Sequence, residues 1–107
     1  MSEYVKKRLF HGFICMHILH HAQKEPVYGR WMVTELAHHG YQLSYGTLYP
    51  VLHGLEREGL LRSFTATVEG KYRKYYSLTP KGEETLNMMR NYLSELTAEI
   101  TETEHER

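Results

Sequence analysis

Residues 44–61 read SYGTLYPVLHGLEREGLL, a helical pattern whose first turns hold Gly46 and Pro50. Leu48, Val51, Leu52 and Leu55 share one face, so the segment is predicted as a helix with Ser44 as its N-cap and Gly59 at its end. A helix with only a core to fill avoids both Gly and Pro in its body. Pro50 has no N–H, and its ring crowds the carbonyl four residues back. That residue is Gly46, which softens the crowding and leaves a slight bend as the expectation. Tyr45, Thr47 and Tyr49 put three hydroxyls near the positive end of this helix. Hydroxyls there can bond phosphates or base edges, and Gly46 lets a ligand approach the backbone. The odd helix start therefore suits a surface that docks on a duplex.

The rest of the chain supplies a frame for that helix. Over residues 4–22, Leu9, Phe13, Met16 and His20 form one stripe and Phe10, Ile14, His17 and His21 an adjacent one, so a helix with a wide apolar face is expected. Pro26 stops it. A second helix is predicted over 27–39, with Met32, Val33, Leu36 and Ala37 inward and Gly40 as its cap. Residues 60–78 change to a period of two and are rich in β-branched and aromatic residues, which reads as a hairpin turning at Val68-Glu69-Gly70. Thr79 and Pro80 then open a last helix. Its Leu86, Met89, Leu93, Leu96 and Ile100 step by heptads, a stripe that suits a partner helix. The final TETEHER, residues 101–107, is expected to fray. Three helices, a hairpin and a long helix make a mostly α fold with a β-hairpin, a winged helix-turn-helix followed by a C-terminal dimerisation helix. The expected division is 1–79 for the winged helix-turn-helix, first helix included, and 80–107 for the dimerisation helix.

Composition narrows the function. The chain has 107 residues, 41% of them hydrophobic, which suffices for one domain with one modest core. No apolar run approaches the roughly 18 residues of a membrane span, no signal peptide is recognisable, and Cys15 is the sole cysteine, so the expected compartment is the cytoplasm. Net charge is zero, yet it is unevenly spread. Residues 1–30 hold five Lys/Arg against two Glu, and residues 62–82 hold five against one, whereas residues 83–107 hold two Arg against seven Glu. Such asymmetry allows a local phosphate-binding face. There is no Asp and no HExxH spacing, so a metal-dependent hydrolase is rejected and no enzyme is expected.

With the YG pair at 28–29, GTLYPVLHGLEREGLL at 46–61 and KYRKYYSLTPKG at 71–82 in place, the chain resembles the PadR family of bacterial transcriptional regulators. Thr47, Tyr49, Pro50, Leu52, Leu55, Glu56, Gly59 and Leu60 sit where the family pattern puts them, and the single C-terminal helix looks like the smaller subgroup. The resemblance implies a homodimer on a near-palindromic double-stranded DNA operator, usually as a repressor, with the first and last helices at the dimer interface and an effector that releases it. The candidate DNA-facing residues are Tyr28, Ser44, Tyr45, Gly46, Thr47 and Tyr49, together with Lys71, Arg73 and Lys74 at the hairpin tip. No Asn, Gln or Arg lies in the first turns of the third helix, so specificity is expected to rest partly on DNA shape and the wing. Tyr49 could instead be a core aromatic and Thr47 a helix-start residue. The whole fold could also serve as a winged-helix interaction module without DNA.

The histidines are the second unusual feature: eight in all, seven of them before residue 54. HILHH, residues 17–21, brings His17 onto one helix face with His20 and His21. With Glu25 one turn on, these form a candidate ligand set for Zn²⁺, Cd²⁺, Ni²⁺ or Co²⁺, and His38-His39 at the end of the second helix is a further imidazole pair that could serve a metal or simply lie at the surface. The MHILHHA segment also looks like some small PadR proteins that respond to divalent metals. Packing on the dimer face and pH sensing are the alternatives. No cofactor is required, and a metal would act as an effector. The other effector class is a flat aromatic compound, as several family members hold between their helices. Phe10, Phe13, Ile14, Met89, Tyr92, Leu93 and Leu96 are the candidates for that interface, or for plain core.

Overall fold

The computed structural model describes residues 1–105. Helix α1 spans Glu3–Lys24, strand β1 Val27–Tyr28, α2 Gly29–His38, α3 Tyr45–Arg57, β2 Leu61–Val68, β3 Lys71–Leu78 and α4 Pro80–His105. The sheet is antiparallel in the order β1-β3-β2. The three helices before a hairpin form a winged helix-turn-helix, as expected. Among the described residues no helix is long and apolar enough to cross a membrane.

Two sequence expectations change. Residues 27 and 28 are strand rather than the start of α2, because Val27 and Tyr28 pair with Tyr76 and Tyr75. Pro26 favours an extended residue before it, Glu25, which ends α1, and the free edge of β3 supplies the ladder for the two residues that follow. The expected fraying of 101–107 is not seen as far as it can be followed: α4 runs on through His105, while residues 106 and 107 lie outside the described residues.

The turns follow from their residues. Gly40 and Gly59 take φ of +91° and +79° at the ends of α2 and α3. Tyr41 N–H and Leu60 N–H then reach back to the carbonyls of Leu36 and Leu55, each at 2.9 Å, closing helix ends that only a left-handed residue permits. The hairpin turn is Glu69-Gly70 alone, with φ of 51° and 78°. Both being positive gives the type I′ pattern whose twist matches the flanking strands.

The core gathers one side of every element. Ile18, Leu19, Met32, Leu36, Leu48, Leu52, Tyr76 and Leu86 are fully buried. Each large aliphatic side chain among them contributes about 1.5–3 kcal/mol by leaving water. On α1 the buried stripe is Ile14, Ile18, Leu19 and Ala22, turned away from the Leu9-Phe13-Met16-His20 stripe that the sequence brought forward. On α4 the heptad divides. Leu86 is in the core and Met89 packs against it, but Leu93, Leu96 and Ile100 are 40%, 51% and 53% exposed. Tyr4, Val5 and Leu9 of α1 are also exposed, so both long helices carry uncovered apolar surface.

Gly82, in the first turns of α4, has no room for a side chain: a Cβ there would run into the Leu60 carbonyl and the Leu78 side chain. Gly46 opens on free space, its nearest neighbour being Ser44 Oγ at 3.8 Å. Gly82→Ala is therefore expected to cost about 1–3 kcal/mol in urea denaturation, as overpacking does. Gly46→Ala, by contrast, is expected to leave the denaturation midpoint unchanged or slightly raised.

Candidate functional site

The start of α3 is an ordered, exposed, hydroxyl-rich surface. Ser44 Oγ accepts the Thr47 N–H at 3.1 Å and lies 3.1 Å from Thr47 Oγ1. The cap that starts the helix thus also aims the two hydroxyls at solvent. Tyr45 is 44% exposed, and its ring occupies the space where a Cβ on residue 29 would lie. That is the physical content of the YG pair at 28–29: Gly29 is needed so that Tyr45 can lie across the first turn of α2. Tyr45 leans on Tyr49 at 5.7 Å between ring centroids, and Tyr49 on His53 at 4.1 Å. Tyr49 is half-buried within this row, neither core nor free.

The wing carries its cations on two faces. Arg73 lies with its guanidinium 4.0 Å over the Tyr28 ring, and its Nη1 donates to Tyr75 Oη at 3.4 Å. That hydrogen bond holds the Arg73 pKa above its ordinary value. Tyr28, Phe64 and Tyr75 pack together around it, at 5.5 Å for each of the Tyr28–Tyr75 and Phe64–Tyr75 pairs. Lys74 points to the opposite face, 5.5 Å over the Tyr76 ring on the α3 side. Lys71 is exposed at the tip beside Tyr72, which is 86% exposed. Tyr72 was not singled out from the sequence, although strict alternation in KYRKYY already places it on Lys74's face.

The histidines form a second site. Ligand atoms of His17, His21 and His39 all lie within 4.8 Å of one another. The His17 and His39 rings stack at 4.6 Å. Glu35 is the nearby carboxylate, 3.7 Å from His21 Nε2 and 3.6 Å from His39 Nε2. His20 and Glu25 are not part of this cluster. His20 turns to α4, where its Nδ1 accepts from Arg90 at 3.2 Å. Glu25 is the exposed C-cap residue of α1, donating its N–H to the His21 carbonyl. The sequence offered His38-His39 at the end of the second helix but not its meeting with His17 and His21, and Glu35 was not singled out, since both reach the cluster from a different part of the fold. Burial first, then repulsion from His39, His21 and His20, holds the His17 imidazole below the ordinary histidine range, with Glu35 opposing. Burial likewise depresses His21, where Glu35 pulls the other way, and His20. Neutral imidazoles are the form that ligates a metal.

A groove of ≈ 360 Å³ lies between α1 and α4, lined by Phe13, Met16, His17, His20, Leu93 and Arg90 among others. Of the seven candidate interface residues only Phe13 and Leu93 line it. Ile14 is core at 7% exposure, and Met89 packs against that core. Phe10 sits on the far side, edge-on to Tyr41 at 5.1 Å. Tyr92 and Leu96 face outward, 70% and 51% exposed.

Residues 18–88 match the model of the transcriptional regulator PadR-like family. The chain is 48% identical over 85 residues, 79% of each chain, to transcriptional regulator Rv3488 of Mycobacterium tuberculosis. Among solved structures, a PadR-like transcription factor from Bacteroides fragilis superposes with a TM-score of 0.79 at 30% identity, covering 94% of this chain and 99% of the other. A PadR family transcriptional regulator from Eggerthella lenta gives 0.78 at 32%, covering 94% and 88%.

The depressed imidazoles carry a pH consequence. Below their ordinary value of 6.5 the unfolded chain takes up protons that folded His17, His20 and His21 resist. This stability is complete above 6.5 and is lost as the pH falls through the lower folded values. The melting temperature is expected to fall as the pH drops below 6.5, and less steeply in His17→Gln/His21→Gln, as read by scanning calorimetry.

Proposed function

This chain belongs to the PadR-like family of transcriptional regulators, and from that premise we propose that it is a dimeric repressor released from its operator by a divalent metal ion. It acts on double-stranded DNA in the cytoplasm. The observation that carries the DNA part is the exposed Ser44-Tyr45-Gly46-Thr47 start of α3 on a fold whose wing holds Lys71, Arg73 and Lys74. The helix start offers hydroxyls and an open backbone to a groove, and the wing offers cations to phosphates. The dimer part rests on the uncovered apolar faces of α1 and α4. Val5 and Leu9 on one, and Leu93, Leu96 and Ile100 on the other, are what a second copy of the chain would cover.

The metal part rests on the three imidazoles. Nitrogens sharing one tetrahedral zinc stand roughly 3.4 Å apart, given Zn–N bonds of about 2.1 Å. The cluster, within 4.8 Å, therefore needs only small side-chain rotations to close. His17, His21 and His39 would hold the ion, and Glu35 would orient them or complete the set. The site joins α1 to the end of α2, so a bound ion would tie the dimer helix to the helix-turn-helix. Its differential affinity for one arrangement of that pair is what would move the protein off DNA. A second effector reading has its own support: Arg90 at the rim of the apolar α1–α4 groove suits a flat aromatic anion.

Two measurements test these readings on untagged protein, by fluorescence anisotropy with a duplex from its own promoter region. Arg73→Gln is expected to weaken binding and to reduce the slope of log K against log salt by about 0.9, the value of one phosphate contact. Added Zn²⁺ or Cd²⁺ is expected to release wild-type protein but not His17→Ala/His39→Ala, with metal uptake checked by elemental analysis. Release that survives in this variant, or no release by any metal, would move the effector to the Arg90 groove.

A further inference from the structure

The basic charge at the start of the chain has no role in the function proposed above. Residues 1–30 hold five Lys/Arg against two Glu, and Lys6, Lys7 and Arg8 are consecutive in the first turns of α1. The fold sets two of them beside the DNA-facing surface. A cleft of ≈ 510 Å³ is walled by Lys6 and Lys7 on one side and by Gln42 and Thr47 on the other. Thr47 is the hydroxyl residue in the first turn of α3, and Gln42 lies in the exposed turn just before it. The charged and titratable groups facing the cleft are Glu3, Lys6, Lys7, His11 and Tyr41, so the lysines outnumber the one carboxylate. Lys6 is also held to the helix-turn-helix: its Nζ lies 5.5 Å over the Phe10 ring, and Phe10 packs edge-on against Tyr41 at 5.1 Å. Tyr41 in turn anchors its N–H on Leu36 of α2 at 2.9 Å.

We propose that Lys6 and Lys7 form a second phosphate clamp, separate from the wing, that grips the DNA backbone beside the N-terminal end of α3. Their ammonium groups are exposed on long stems and can extend across the mouth of the cleft to a strand docked on Thr47. Gln42 is placed to donate to the same backbone. Two clamps on either end of the reading surface fix its register without reading any base, which fits a helix start with no Arg, Asn or Gln for bidentate base contacts. The acidic C-terminal helix of a second copy is the rival occupant, and the contacts with the helix-turn-helix favour DNA over it.

The inference rests on the DNA-binding reading, and the experiment separates the two. Binding of the full-length protein to a duplex from its own promoter region is followed against salt for wild type, Lys6→Gln/Lys7→Gln and Lys6→Arg/Lys7→Arg. Circular dichroism melts and light scattering run alongside. The Gln pair is expected to reduce the salt slope by roughly 1.8, two phosphate contacts at about 0.9 each, with fold and mass unchanged. The Arg pair is expected to keep the wild-type slope. A Gln pair with the wild-type slope would overturn the clamp while leaving DNA binding intact. The same slope with a dimer that dissociates on dilution would also overturn it and assign the lysines to the protomer contact. A wild-type protein with no salt-dependent binding would remove both readings.

Discussion

The corner between α3 and β2 is the constraint on which the rest of the structure depends. Five hydrogen bonds meet there within a few residues. Glu56 accepts from Ser63 N–H at 3.0 Å and from Ser63 Oγ at 2.5 Å, tying the last turn of α3 to the first strand of the wing. That hydrogen bonding depresses the Glu56 pKa, so the carboxylate stays charged and the bonds stay strong. From the far side Thr79 Oγ1 donates to the Gly59 carbonyl at 2.6 Å and accepts from Gly82 N–H at 3.0 Å. Lys81 Nζ donates to the Glu58 carbonyl at 2.9 Å. Carbonyls at the end of α3 are thus satisfied by the start of α4, as a helix terminus requires. The two most recognisable stretches of the sequence, LEREGLL and LTPKG, are the two sides of this one joint.

The joint matters because it sets the angle between the helix start and the wing. On the proposed reading a duplex would meet both at once, so their relative placement would decide which phosphates the wing cations reach. The wing is stiffened from the other side by β1, whose Tyr28 lies under Arg73 and against Tyr75. Arg73 is therefore prepositioned and would lose little side-chain freedom in the proposed phosphate contact. Gly29, by leaving room for Tyr45, ties the same β1–α2 junction to the first turn of α3. Tyr76 lies beneath this arrangement, fully buried, with an unpartnered hydroxyl whose pKa is pushed up to about 12, chiefly by burial.

Helix α1 serves three neighbours. Ile14, Ile18, Leu19 and Ala22 fill the core, His17 and His21 meet His39 and Glu35 of the α2 end, and His20 and Gln23 receive Arg90 of α4. A helix shared in this way is where the proposed effector would have leverage, because a small movement would be felt by the core, the helix-turn-helix and α4 together. The proposed metal site and the aromatic groove lie side by side on it, with His17 common to both. His20 can accept from Arg90 only through an unprotonated Nδ1, so the α1–α4 contact is also sensitive to charge on this helix.

Much of the fold could be read from local pattern. Ser44, Gly59, Thr79 and Pro80 mark helix ends whose chemistry is confined to a few residues, and the period change at 60–78 marks the wing, since alternation follows from strand geometry alone. The short strand at Val27–Tyr28 was hidden, because two residues have no period and their ladder partners lie almost fifty residues away. The heptad on α4 was legible as a stripe but not as a divided one, since periodicity records apolar faces and not which of two surfaces covers them. The histidine site shows the same boundary. Spacing on one helix determined that His17 and His21 share a face, because 3.6 residues per turn allows nothing else. That His39 and Glu35 meet them, while His20 turns to Arg90 and Glu25 to solvent, was decided by how α1 packs against α2 and α4. Packing sums many weak apolar contacts from distant parts of the chain, and no local spacing encodes that sum.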